Sequence, residues 1–132
     1  GPTLTLPSQA NPIGSFSDPE YAQIGLTEAQ ARAHSDVLSV KAAYSSAPRP
    51  IIDGRVVGFV KLIVDRQTHT VVGCHIVGER AVEIAQVAAV AMAADMKVED
   101  FTRIHVSFPT YTNVLGRAAL MAARHRHTRE SR

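Results

Sequence analysis

The strongest pattern along the chain lies in two stretches rich in Val and Ile, Val57 to Asp65 and Thr70 to Val77. Each places apolar residues two apart, the period of a strand with one buried face. Val60, Leu62 and Val64 share a face in the first, and Val72, Cys74 and Ile76 in the second, so the two faces are expected to meet one core. The four residues between them, Arg66-Gln67-Thr68-His69, suit a hairpin loop. Leu38 to Tyr44 predicts a third strand, with Leu38, Val40 and Ala42 alternating against Ser39, Lys41 and Ala43. From Ser15 to Leu26 the pattern is short and broken. Asp18-Pro19-Glu20 reads as a turn, because proline fixes its own φ and pushes the residue before it out of the helical region. A strand around Phe16 and a second extended piece over Gln23 to Gly25 are expected on either side of it.

Elsewhere the period is helical. Thr27 and Gln30 have capping-box spacing, in which each side chain satisfies a free backbone N–H of the other residue, and Ala29, Ala31 and Ala33 favour a helix that stops near His34 to Asp36. Ala81 to Asp95 carries Ile84, Val87, Ala88, Ala91 and Met92 on one stripe. Val98 to Ile104 reads as a helical turn, with Glu99 and Asp100 where the helix dipole favours negative charge. A last helix, capped by Thr110, is expected to run to about Arg126, with Val114, Leu115, Ala118 and Met121 facing inward. Ser45 to Arg55, holding Pro48, Pro50 and Gly54, reads as a loop. Hairpin-joined strands with helices grouped after them predict an α+β fold, an antiparallel sheet with helices packed on it.

Composition narrows the picture. A length of 132 residues suits one domain with a real core. Residues 1 to 14, rich in Pro, Ser, Thr and Asn, read as a linker or added lead-in, and Gly1-Pro2 resembles a protease-cleavage scar. Residues 125 to 132 read as a basic, disordered tail, with Arg124 just before it and Glu130 its only acid. Nucleic-acid binding also needs a basic face on the folded part, and none is evident, so no nucleic-acid partner is expected. No apolar run is long enough to span a membrane and no basic-then-apolar leader opens the chain, which points to a cytoplasmic protein without a membrane partner.

Much familiar chemistry is missing. The sequence holds no G-x-G-x-x-G or G-x-x-x-x-G-K-[ST] phosphate loop, so the chain alone is not expected to bind a dinucleotide. Its single cysteine excludes an internal dithiol, and Cys74, between Val72 and Ile76, reads as a small buried hydrophobe. The six histidines lack ligand-type spacing, so no metal site is expected. One stretch stands apart: Ile-His-Val-Ser-Phe-Pro-Thr-Tyr-Thr-Asn, residues 104 to 113, runs through Pro109 into the last helix. It serves either as a rigid lead into that helix or as a loop presenting groups at a site.

Three segments together resemble the dimerisation domain of the pyridine nucleotide-disulfide oxidoreductase family, which contains glutathione reductase, dihydrolipoamide dehydrogenase and mercuric reductase. They are Phe-Ser-Asp-Pro-Glu-Tyr-Ala-Gln-Ile-Gly-Leu-Thr-Glu (16 to 28); Gly-Phe-Val-Lys-Leu-Ile-Val-Asp (58 to 65) with Val-Gly-Cys-His-Ile-Val-Gly (72 to 78) and Glu83; and Phe-Pro-Thr with its helix (108 to 124). The resemblance spans residues 15 to 124. It implies a homodimer-forming domain, FAD- and NAD(P)H-binding domains upstream in the same protein, and a loop before the last helix that completes the partner's active site. The chain by itself is then no enzyme, and its parent is an FAD-dependent pyridine nucleotide oxidoreductase.

In that loop the family carries His-Pro-Thr and, a few residues on, a Glu that orients the histidine as an acid–base. Here the family His position is Phe108 and the Glu position is Asn113, and neither can move a proton or stabilise an imidazolium. His105, three residues upstream, replaces the base only in a rearranged loop. A C-terminal cysteine pair of the mercury-capturing kind is also missing. By resemblance Phe108 and Pro109 contact the partner's FAD, Tyr111 and His105 are candidates for the substrate site, and the electron acceptor need not be a disulfide. The competing reading is a free-standing homodimeric interaction module without catalysis.

Overall fold

The structure, a computed structural model, describes residues 13–15, 18–104 and 108–130. Its centre is one antiparallel sheet of five strands: β1 (Ile13–Ser15), β2 (Tyr21–Gly25), β3 (Val37–Ala43), β4 (Phe59–Asp65) and β5 (Val71–Val77), in the order β1-β2-β5-β4-β3. The expected α+β class is what is found. A strand is expected around Phe16, which lies outside the described residues; β1 ends just before it, at Ser15, and begins within the stretch read as lead-in.

The β4–β5 hairpin forms because Asp65 organises its turn. One carboxylate oxygen accepts the backbone N–H groups of Gln67 (2.8 Å) and Thr68 (3.0 Å), and His69 takes a left-handed conformation, φ 68°. The expected pairing of faces needs one correction. Ile63 pairs with Gly73 but Val64 pairs with Val71, so Val72 is an extra residue in β5. Such a bulge turns the strand over. Val71, not Val72, therefore packs against the main core, while Val72 joins Leu26 on the opposite face against Ala31, Val37 and Ile63.

Helices cover the two faces unequally. The small cluster is closed by α1 (Glu28–Arg32), whose capping box is complete: Thr27 Oγ1 accepts from the Gln30 N–H and Gln30 Oε1 from the Thr27 N–H. The main core lies beneath α3 (Ala81–Ala93), α4 (Val98–Phe101) and α5 (Thr112–Glu130), with Ile24, Val60, Leu62, Cys74, Ile76, Ile84 and Val114 almost wholly buried. Alanines Ala85, Ala88, Ala118 and Ala122 let these helices lie close to the sheet.

Three further expectations are revised. Ser45 to Arg55 is not a plain loop: a 3-10 turn (Tyr44–Ser46) leads into α2 (Pro48–Asp53). Pro48 and Pro50 fall in its first turn, where backbone N–H groups have no intrahelical acceptor, and Gly54, φ 69°, ends it. Met121 is 42% exposed; Val114, Leu115 and Ala118 face inward as expected, joined by Ala119 and Ala122. Finally, α5 continues past Arg126 to Glu130, through most of the stretch read as a disordered tail, because no Gly or Pro after Gly116 interrupts it. Among the described residues no helix is long and apolar enough to cross a membrane.

Candidate functional site

The segment that leads into α5 is open on one side and anchored on the other. Phe108 is 72% exposed, and the peptide joining it to Pro109 is cis. Behind it the chain tightens. The Thr110 backbone N–H donates to Asn113 Oδ1 at 2.7 Å, and the Asn113 N–H donates back to the Thr110 carbonyl at 3.2 Å. Asn113 thus works as a local tie across the first turn. Pro109, Thr110, Tyr111 and Thr112 form one wall of a groove of about 300 Å³ whose other walls carry Arg49, Arg80, Glu83 and Ile84.

Tyr111 turns inward. Its ring lies 6.0 Å from that of Tyr44, tilted by 42°, and its hydroxyl donates to Asp53 Oδ2 at 2.7 Å. The same oxygen accepts Arg49 Nε at 2.9 Å. Burial, then the bond to Asp53, pushes the Tyr111 phenol up to about 12, and the Tyr111 hydroxyl followed by Arg49 holds the Asp53 carboxyl below its ordinary value. Tyr44 in turn donates to the Glu79 carbonyl at 2.7 Å. The ends of β3 and α2 and the beginnings of α3 and α5 are joined at this point.

The candidate residues are therefore placed as follows. Phe108 and Pro109 form the outward turn, Tyr111 presents a wall of the groove while its hydroxyl is engaged, and Asn113 holds the backbone. His105 lies outside the described residues. Sequence reasoning missed Asp53 and Arg49, which fell inside the stretch read as a loop. The available signal was their four-residue spacing, the reach of an ion pair along a helix. His75 is committed elsewhere, with Nε2 3.1 Å from the Leu26 carbonyl oxygen. Among the described residues no three His, Cys, Asp or Glu side chains converge as a metal site requires.

A fold of this topology with an exposed turn before its last helix can be compared with known proteins. Residues 11–119 match the model of the pyridine nucleotide-disulphide oxidoreductase dimerisation domain, and the chain belongs to that family. It is 42% identical over 105 residues to a glutathione reductase of Burkholderia cepacia, covering 76% of this chain and 23% of that protein. It is 34% identical over 110 residues to a mercuric reductase of Lysinibacillus sphaericus, covering 83% and 20%. In three dimensions it is similar to the HOCl-induced flavoprotein disulfide reductase RclA of Escherichia coli, with a TM-score of 0.80 at 22% identity over 84% of this chain and 26% of that one. The chain thus spans about a quarter or less of the length of these relatives.

Proposed function

We propose that this chain is the pairing domain of an FAD-dependent NAD(P)H oxidoreductase, in which the turn at Phe108 and Pro109 lies against the flavin of the neighbouring subunit. The observation that carries the reading is an aromatic ring 72% exposed at the tip of a turn whose base is tied by Asn113 and Tyr111. An uncovered ring on an anchored backbone fits an edge contact to a planar aromatic cofactor. It does not fit a whole-cofactor site, since the sequence has no glycine-rich phosphate loop. FAD and NAD(P)H are accordingly assigned to upstream domains of the same protein. When bound, FAD supplies the two-electron chemistry; this chain supplies position, shape and exclusion of water on one side of the site.

Phe108 and Asn113 occupy the positions where the resemblance led us to expect a His/Glu pair. A phenyl ring has no proton to give a leaving thiolate, and Asn113 is occupied with the Thr110 backbone. The acceptor we favour is one that needs no such acid, a quinone or another small oxidant. The same reading places the protein in the cytoplasm as a homodimer, with its single thiol, Cys74, buried and unpaired.

The test uses the full-length protein carrying FAD. Turnover of a quinone with NADH or NADPH should exceed turnover of glutathione disulfide or lipoamide, and Phe108→Ala should shift the flavin absorption bands. Rapid disulfide turnover would overturn the acceptor assignment, and bands indifferent to Phe108 would overturn the contact.

A further inference from the structure

We propose that Asp53 is the positioning residue of the Phe108 turn: its carboxylate holds Tyr111 and thereby fixes where the exposed aromatic points. The inference rests on the reading that this turn is addressed to a flavin, and it names the residue that aims it.

Asp53 stands where local forces give it little reason to be. It is the last residue of α2, beside the carbonyl end of the helix dipole, which disfavours a negative charge. Its pairing with Arg49 runs cation first and anion second along the helix, the less favourable orientation for residues four apart. Neither helix stability nor the surface ion pair selects an aspartate here. The tertiary contact does. Asp53 Oδ2 accepts the Tyr111 hydroxyl at 2.7 Å across 58 positions of sequence, the largest separation of any side-chain hydrogen bond described. Arg49 Nε shares that oxygen at 2.9 Å, a surface ion pair that the bond to Tyr111 does not require.

Tyr111 is the lever. It lies three residues after Phe108 and only 9% of it is exposed, between the Tyr44 ring and α2. The bond from Thr110 N–H to Asn113 Oδ1 is local, between residues three apart. The Tyr111–Asp53 bond sets the turn against the body of the domain. Gly54, in the left-handed conformation, ends α2 immediately after Asp53, so the carboxylate sits at a helix end with no further turn to cover it.

The chain contains no tryptophan, so Phe108→Trp supplies a single reporter indole. In that background Tyr111→Phe and Asp53→Ala should each enlarge the fast component of the time-resolved anisotropy at least about two-fold, with far-ultraviolet circular dichroism unchanged, because each removes the hydrogen bond between the turn and α2. Asp53→Asn keeps an acceptor oxygen for the phenol while losing the charge that faces Arg49, and should hold the indole close to the parent value. Arg49→Ala should do the same. A purely structural ion pair predicts the opposite order, with Asp53→Asn and Arg49→Ala as loose as Asp53→Ala and Tyr111→Phe silent; that result overturns the proposal, as does an indole indifferent to Tyr111→Phe. Where Asp53→Ala fails to fold, Tyr111→Phe alone decides. The flavin reading is separated by the same Phe108→Trp change in the full-length holoprotein. An indole loosened by Tyr111→Phe together with flavin bands that ignore residue 108 upholds the positioning role and removes only the cofactor contact.

Discussion

At Gly78 a side chain has nowhere to go. A Cβ there would lie 2.5 Å from Cζ of Tyr44, and φ is +137°, a region that L residues rarely adopt. Tyr44 is wholly buried and donates to the Glu79 carbonyl, so its ring cannot step aside. Gly78→Ala is therefore expected to cost about 2–4 kcal/mol, from strain and overpacking together, read as a lower midpoint in urea with little change in slope. Cys74 leads to a simpler expectation. Burial pushes its thiol up to about 12, so a thiol reagent should label the native chain no faster than the chain unfolds. That inertness was legible from Ile76, two positions on and on the same face as Cys74, whereas Val72 lies across the bulge on the other face. The Tyr111–Asp53 bond was not legible. Its partners are 58 residues apart, one was read as loop, and nothing in either local pattern encodes a tertiary hydrogen bond.

Among the elements, α1 depends on its ends. Five residues are too few for a helix to persist by propensity alone, so both capping-box bonds matter. Thr27→Ala is expected to destabilise the fold by about 1 kcal/mol in chemical denaturation. The first residue of α1 also couples it to the sheet. Lys61 Nζ lies 2.8 Å from Glu28 Oε1 and an Arg32 terminal nitrogen 2.7 Å from Oε2, and these cations, Lys61 first, lower the Glu28 carboxyl from 4.5 to about 2. The folded state therefore binds fewer protons than the unfolded state between those values. The contribution is complete above 4.5 and is lost as pH falls through 4.5 toward about 2. Glu28→Gln should flatten the fall in stability over that acid window, modestly, since the group is exposed to solvent. The strands β3, β4 and β5 and the long helices α3 and α5 were visible in the sequence because each repeats its period for at least two turns or three pairs. The helix α2 was hidden by its own prolines, which mark a loop anywhere except a first turn. The bulge at Val72 was hidden because one inserted residue leaves composition unchanged while exchanging the two faces.

For the molecule as a whole, the family and the closed symmetry that most self-associating chains adopt give one expectation. The chain should sediment as a dimer, and its sedimentation across a range of concentrations checks it; a monomer at every concentration would count against pairing by this domain alone. The open turn at Phe108 and the groove behind it should be among the surfaces whose amide exchange slows when the full-length protein is assembled. One small element governs how such experiments are read. The three residues Ile13–Ser15 pair with Tyr21, Ala22 and Gln23, three of the five residues of β2. A shortened version starting after Ser15 would lay those amides and carbonyls bare, ready to zip onto the same row of another molecule. Any association it displayed would be adhesive stacking of raw rims, easily mistaken for native partnership, so residues 13 to 15 belong in every fragment on which stoichiometry is measured.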